Sequence, residues 1–532
     1  MNHGHLFAAE VGPPYRRAYA VIGDTVNVAA RLMAKAPVSH VYASAAVIER
    51  ARTSFKLQPL PSLTLKGRRG PLAAFDVGPV TDAIRLRPAL RRPPLVGRDQ
   101  ELAVIQNAIS AARRRSGGLV EIIGETGSGK SRLLAEGRRL ARGMRVLHTT
   151  CQAYTRETPY ASAAHALRQL VGLDAGADDA KVLATLRSEV ARRLPNLKPW
   201  LPLLAIAFGV PTELTPEVEQ LSPEVRARKL QETVHAFAEP DLAIPTLLQV
   251  EHAHLIDAAS AGLLRSFAEQ LDRTSWAVLL TRRPVGHPPL ETAAHAQIEL
   301  GPLTHEQAMA LAATIPESER IPPHVLELAV RRAAGSPEFL LDLLAAAAAG
   351  NRESLPASLS AAAAARLDEL EPTDRTLVCR AAVLGLSFEP DAVRYTLEPG
   401  MAMPDDDRWS RLSGVFVRDP GGQLRFKRPA LQEAAYASLP FKLRRRLHVA
   451  VAEALERRPA GLESVLSHHW HAAGEYARAH RYAMLAAASA RQTFSHADAV
   501  GLYRRAIEAG RAAALDSEPE GRAALGNAWE EL

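Results

Sequence analysis

The stretch Leu119-Val-Glu-Ile-Ile123, followed by Gly124-Glu-Thr-Gly-Ser-Gly-Lys130-Ser131, decides how this chain folds. A short apolar run ends in the pattern G-x-x-x-x-G-K-[ST] and gives way to a helix-forming run from Arg132 to Leu140. That order, buried strand then glycine-rich turn then helix, is what a phosphate-cradling loop requires. Glycines let successive backbone N–H groups turn inward around phosphate oxygens, and the following helix presents its positive end to the same anion. Lys130 has the length to reach β and γ phosphates, and the Ser131 hydroxyl is a Mg²⁺ ligand. Gly124, Glu125, Thr126, Gly127, Ser128, Gly129, Lys130 and Ser131 are therefore candidate nucleotide-binding residues, with ATP and Mg²⁺ as the expected cofactors.

A second acidic strand is needed to support the metal and polarise an attacking water. Thr246-Leu-Leu-Gln-Val250, ending in Glu251-His252, is the downstream run that fits. Glu251 is a candidate Mg²⁺ and catalytic residue. The next position, where a second carboxylate is expected, holds His252. A neutral imidazole accepts a proton but brings no negative charge beside the water, so slow hydrolysis is expected. After the strand run Ala277-Val-Leu-Leu280, the segment Thr281-Arg282-Arg283-Pro284 places polar and cationic groups where they could sense a γ-phosphate. Thr281 and Arg283 are the candidates, and Arg282 reads equally well as a surface residue.

Length and composition limit the surroundings. At 532 residues, roughly 150 residues per domain predicts about three to four domains. Hydrophobic residues are 47% and charged residues 23%, ordinary for a globular chain. The net charge of +7 arises from 65 Lys+Arg against 58 Asp+Glu, spread rather than blocked, and aromatics are 5%. Short basic runs such as Arg113-Arg-Arg115 and Lys442-Leu-Arg-Arg-Arg446 read as solvated helix faces, so direct nucleic-acid binding is not expected. Only Cys151 and Cys379 occur, too few for a disulfide framework or a Cys-based zinc site. No apolar run reaches a membrane span, and the cytoplasm is the expected address.

Along the chain, Tyr19 to Gly23 reads as strand, Thr25 to Ala36 as helix, and Leu63-Thr-Leu-Lys66 as alternating. The Pro/Arg-rich stretch Arg85 to Pro94 reads as a linker. Strands and helices alternate from Val96 to about Leu300. The pattern then turns helical and Ala-rich, with strand signals at Val415-Phe-Val417 and Gln423-Leu-Arg-Phe426. In the last stretch, His468-His469-Trp470-His471 reads as helix packing rather than a metal site. Ala472, Gly474, Ala479, Tyr482, Ala486, Ala499, Tyr503 and Ala506 follow helix-pair spacing.

Several ordered motifs over residues 95–455 resemble bacterial STAND-class signalling ATPases. They are Leu95-Val-Gly97-Arg98-Asp99, the glycine loop, Glu251-His-Ala-His254-Leu-Ile-Asp257, Leu300-Gly-Pro-Leu303 and Gly335-Ser-Pro337-Glu-Phe339. The resemblance implies that Val96, Gly97 and Arg98 lie over the adenine and that Pro337 opens a helical lid beside the nucleotide. It also implies a winged-helix region. Two positions depart from the family: His252 replaces an acid, and Phe426-Lys-Arg428 replaces Phe-x-His, putting a guanidinium where a nucleotide-sensing imidazole is usual.

Glu10-Val-Gly12, Arg16, Tyr19-Ala-Val-Ile-Gly23-Asp24-Thr-Val-Asn27-Val-Ala-Ala-Arg31, Leu65-Lys66-Gly67 and Phe75 resemble the C-terminal half of a class III adenylate/guanylate cyclase domain. That likeness implies transition-state roles for Asn27 and Arg31, and triphosphate contact for Lys66. The family's metal-binding aspartates lie in the half of the domain that would precede this stretch, and Ala20 stands at a base-reading position, so no cyclase activity is expected of this chain alone. The last helices resemble tetratricopeptide repeats, implying an unidentified protein partner and a capacity to oligomerise.

The expected organisation is thus multidomain α/β plus α. A partial ferredoxin-like cyclase remnant (1–80) and a linker (81–94) precede a P-loop NTPase (95–300) with a helical lid (301–355). A winged-helix region (356–458) and tetratricopeptide-like helical repeats (459–532) follow. The function expected is an ATP-binding STAND-type switch. The alternatives are a cyclase completed by a half encoded upstream, and a non-hydrolysing ATP-dependent scaffold.

Overall fold

The computed structural model describes residues 1–3, 7–11, 18–37, 40–48, 54–61, 72–82, 94–174, 176–210, 212–285, 294–348, 355–398, 400–418, 422–457, 461–515, 526 and 528–530. These fall into two compact units, Met1–Pro88 with Ala365–Thr376, and Ala89–Ala364 with Leu377–Leu532.

In the first unit β1 (Phe7–Val11) and β2 (Ala18–Ile22) form an antiparallel hairpin. A second antiparallel sheet has the order β3-β5-β4, from β3 (Tyr42–Ser44), β4 (Ser54–Pro59) and β5 (Ala74–Asp82). The helix Asp24–Lys35 buries Val28 and Leu32, four apart on one face, in a small core with Leu72 and Ala74. The alternating run at Leu63 to Lys66 lies outside the described residues.

The second unit is built on a five-stranded parallel sheet. Its strands are β6 (Gly118–Gly124), β7 (Arg145–Thr150), β8 (Thr246–Glu251), β9 (Trp276–Arg282) and β10 (Ala296–Leu300), in the order β10-β6-β9-β8-β7. Four runs that read as strands in the sequence, 120–123, 144–147, 246–250 and 277–280, are present as β6, β7, β8 and β9, with β7 starting at Arg145 and the others longer, and β10 is an addition. β6, β8 and β9 are almost continuously buried, as parallel strands covered on both faces must be. The helices Asp99–Arg113 and Lys130–Leu140 cover one face through Ile105, Ile109, Leu133 and Leu134. Between β7 and β8 a helical insertion makes its own core around Leu186, Leu203, Phe208, Leu230 and Phe237.

After β10 the helices His305–Ala313, Pro323–Ala333 and Pro337–Ala348 pack around Leu311, Val330, Leu340 and Leu343. A small antiparallel sheet follows, of order β11-β13-β12, from β11 (Ser387–Phe388), β12 (Phe416–Arg418) and β13 (Leu424–Phe426). Phe388, Phe416, Phe426 and Trp409 meet edge to face on its inner side. The chain continues into the helices Glu463–Ala473, Tyr476–Gln492 and His496–Ala512, whose small residues Ala479, Ala483, Ala487 and Ala506 are buried. This end docks on the sheet domain. The carboxylate of Asp498 accepts from Ala258 and Ala259 N–H at the start of the helix Ala258–Ala268, and Arg505 pairs with Glu157 at 2.5 Å.

Candidate functional site

The glycine loop lies where β6 ends and the helix Lys130–Leu140 begins. Gly127 and Gly129 take φ of +81° and +102°, conformations that cost an L-side chain about 1–2 kcal/mol. A Cβ at Gly127 would also come within 2.9 Å of Ser336 Oγ. Lys130 Nζ donates to the carbonyls of Gly124 and Glu125, each at 2.7 Å, folding the lysine over the loop. Burial, with the nearby Arg283 charge, pushes its ammonium down to about 8. Ser128 Oγ is buried with no hydrogen-bond partner. An unsatisfied donor within a ring of glycines beside a cation is the polarity a phosphate oxygen requires, so the residues present fit a nucleotide.

The metal side is equally specific. Glu251, at the C-terminal end of β8, points Oε2 toward Ser131 Oγ at 3.3 Å. This brings together the two residues expected to support Mg²⁺. Glu251 Oε1 accepts from His148 Nε2 at 3.0 Å, and Oε2 from Arg425 Nη1 at 3.0 Å. Burial opposes ionisation, but the His148 hydrogen bond and the Arg425 charge prevail and hold the carboxyl well below the usual range. Sequence reasoning missed both partners. Neither is near Glu251 in the chain, and the signal that could have found them, a His one strand over and an Arg in an alternating β-segment, requires the strand order.

His252 adopts φ 57°, ψ 40°, and its N–H donates to Thr281 Oγ1 at 3.3 Å. Burial pushes its imidazole down to about 4 despite the attraction of Glu251, so the ring is neutral near pH 7. Thr281 thus braces the turn after β8. Asp257, a conceivable substitute base, is committed elsewhere. It accepts from Tyr160, Ser162 and Ser260 N–H, and burial, with the Asp498 charge, pushes it up to about 6.

Arg283 N–H donates to His254 Nδ1 at 3.4 Å, and its guanidinium lies 3.6 Å from Glu433. Arg282, which the sequence leaves open between sensor and surface residue, pairs at 2.7 Å with Glu121, which is only 1% exposed.

Val96 packs on the helical cluster after β10. Gly97 O accepts from Gln307 at 3.3 Å, and Arg98 donates to Glu101 at 2.9 Å and to Gly301 O at 2.5 Å. The Val96–Arg98 segment is therefore pinned where β10 meets the helices that follow. Pro337 starts the helix Pro337–Ala348, whose Glu338 N–H donates to Gly127 O at 3.3 Å, so that helix abuts the loop. Arg428 pairs with Asp342 of the same helix and lies 3.6 Å from Glu338.

In the other unit, Asn27 and Arg31 sit one turn apart on the helix Asp24–Lys35, Asn27 exposed and Arg31 half-buried. Lys66 lies outside the described residues. His468 and His469 pack against the ring of Tyr154, at 4.5 and 5.3 Å between centroids. Among the described residues no group of three or more His, Cys, Asp or Glu is arranged to hold a metal ion, and no helix is long and apolar enough to cross a membrane.

Residues 94–280 match the AAA ATPase domain family. They take in β6, β7, β8 and most of β9, with the glycine loop and Glu251, and nucleotide binding is the property that goes with that family. No curated protein matches the chain in sequence. Among solved structures, a STAND protein with a tetratricopeptide repeat sensor from Pyrococcus horikoshii is 12% identical, over 79% of this chain and 54% of that one, with a TM-score of 0.44. The chain thus spans about half the length of that protein. Orc1 of Aeropyrum pernix, solved in complex with DNA, is 16% identical over 65% of this chain and 94% of that one, with a TM-score of 0.32. Thermotoga maritima RuvB is 14% identical over 65% and 96%, with a TM-score of 0.28.

Proposed function

We propose that this chain is an ATP-dependent signalling switch of the STAND type, holding Mg²⁺·ATP between its sheet domain and the helical lid of residues 301–355. The observation that carries this reading is the meeting of three elements at one loop. Ser131 lies 3.3 Å from the Glu251 carboxylate, while the lid helix donates Glu338 N–H to Gly127 O. A nucleotide at that place touches both bodies and so favours one arrangement of them, which is how a ligand shifts a two-state equilibrium. In this reading the module around β11–β13 is a winged helix, and the C-terminal helices are repeats that dock a protein partner.

Mg²⁺ would be held by Ser131 and, directly or through water, by Glu251, and would neutralise phosphate charge. Lys130 binds the phosphates, and Arg283 stands beside it. With His252 neutral and its N–H held by Thr281, no second carboxylate orients water, so ATP stays intact for long periods. General-base assistance is typically worth ~10²–10⁴-fold. In single-turnover assays His252→Asp should therefore raise hydrolysis while leaving ATP affinity within about twofold. Brisk wild-type turnover that His252→Asp leaves unchanged would sink the slow-hydrolysis reading.

The N-terminal unit is read as a cyclase-derived accessory without activity of its own. Incubation of the chain with ATP or GTP and Mn²⁺ should give cyclic nucleotide at blank level. Formation that disappears in Asn27→Ala would reverse that reading.

A further inference from the structure

β13 lies at the centre of its three-stranded sheet, between β11 and β12. Leu424 and Phe426 are buried on its inner face, so strand alternation turns Arg425 outward, and there its Nη1 meets Glu251 Oε2 at 3.0 Å. That same oxygen is the one 3.3 Å from Ser131 Oγ. A Mg²⁺ ion supported by this serine and this glutamate, directly or through water, draws on the oxygen that the guanidinium now meets. Two cations drawing on one carboxylate oxygen repel each other, and each weakens the other's hold.

Resting on the nucleotide reading above, we propose that Arg425 is a resident stand-in for the metal, so that Mg²⁺ and the β13 module compete for Glu251. Side-chain rotation alone is a poor escape for the arginine. Its side chain is 18% exposed and its Nε is already buried without a partner. A guanidinium parted from Glu251 in place would be a half-buried charge without the carboxylate that now pairs it, which is unfavourable. Metal entry therefore shifts the strand as well as the side chain. By reciprocity, anything that holds β13 against the sheet domain weakens metal binding by the same factor. The opposing view makes Arg425 a permanent neutraliser of Glu251, indifferent to metal.

The two views separate in a titration of ATP binding against Mg²⁺, by calorimetry, in wild type, Arg425→Gln and Arg425→Lys. Competition predicts that Arg425→Gln reaches half-maximal effect at about tenfold lower Mg²⁺, within the usual range of coupling between two sites, with Arg425→Lys between. A second reading needs no variant: hydrogen exchange of the peptide spanning β13 in the wild-type chain should accelerate with Mg²⁺ and ATP but not with ATP and EDTA. Equal Mg²⁺ dependence in folded wild type and Arg425→Gln would overturn the proposal and leave the nucleotide reading intact. Should Arg425→Gln not fold, unchanged exchange of β13 on adding Mg²⁺ to the ATP complex overturns it alone. Absence of ATP binding to every protein at every Mg²⁺ level would instead remove the nucleotide reading, and this proposal with it.

Discussion

The phosphate loop and the Glu251 carboxylate lie one hydrogen bond apart, yet they are made in opposite ways. The loop is local. Eight consecutive residues supply its turn, its cation and its hydroxyl, and its lysine is satisfied by carbonyls five and six positions away. Glu251 is set by distance: its partners His148, Ser131 and Arg425 come from 103, 120 and 174 residues away. A locally built site can be read from residue spacing and survives changes elsewhere. A site assembled at long range depends on strand order and on the docking of other modules, and that dependence makes it suited to report their arrangement.

The contrast breaks most visibly where long-range assembly is purely structural. Arg282→Ala leaves Glu121, buried across two strands, with Gln297 as its remaining named partner at 2.9 Å. It should cost ~3 kcal/mol of stability, the usual consequence of stranding a buried charge. Urea unfolding checks this, and a cost below about 0.5 kcal/mol, ordinary for a surface site, would mean that Glu121 is solvated or re-paired. The local half is sharpened by its glycines. Gly129→Ala meets open space and should suffer only the ~1–2 kcal/mol of a left-handed backbone. Gly127→Ala carries that strain and also meets Ser336 and Glu338, so it should lose more stability and loosen the helix Pro337–Ala348 from the loop. Equal losses in the two variants, measured by thermal unfolding, would show that the helix Pro337–Ala348 does not bear on the loop.

The same division explains what the sequence disclosed. β6, β8 and β9 were legible because parallel strands buried on both faces read as continuous apolar runs. β10 was not: its Ala-Gln-Ile-Glu-Leu is short and alternates between exposed and buried. The loop, Glu251 and His252 were legible from spacing. The fate of Arg282 was not, because Glu121 and Gln297 join it only once β9 and β10 are known to flank β6. Arg425 lay inside a strand signal read correctly at Gln423 to Phe426, but which face it occupies matters only when Glu251 is opposite. That Asp257 caps the helix Ala258–Ala268 is shown only by the structure.

All of this presupposes that the loop takes up a nucleotide, and calorimetric titration of ATP with Mg²⁺ into wild type and Lys130→Ala tests that most directly. Removing the ammonium deletes the charge-assisted hydrogen bonds to the phosphates, so the account predicts saturable binding to wild type and at least a tenfold loss, about 1.4 kcal/mol, in a variant that remains folded. Equal affinity of the two proteins for ATP would contradict it.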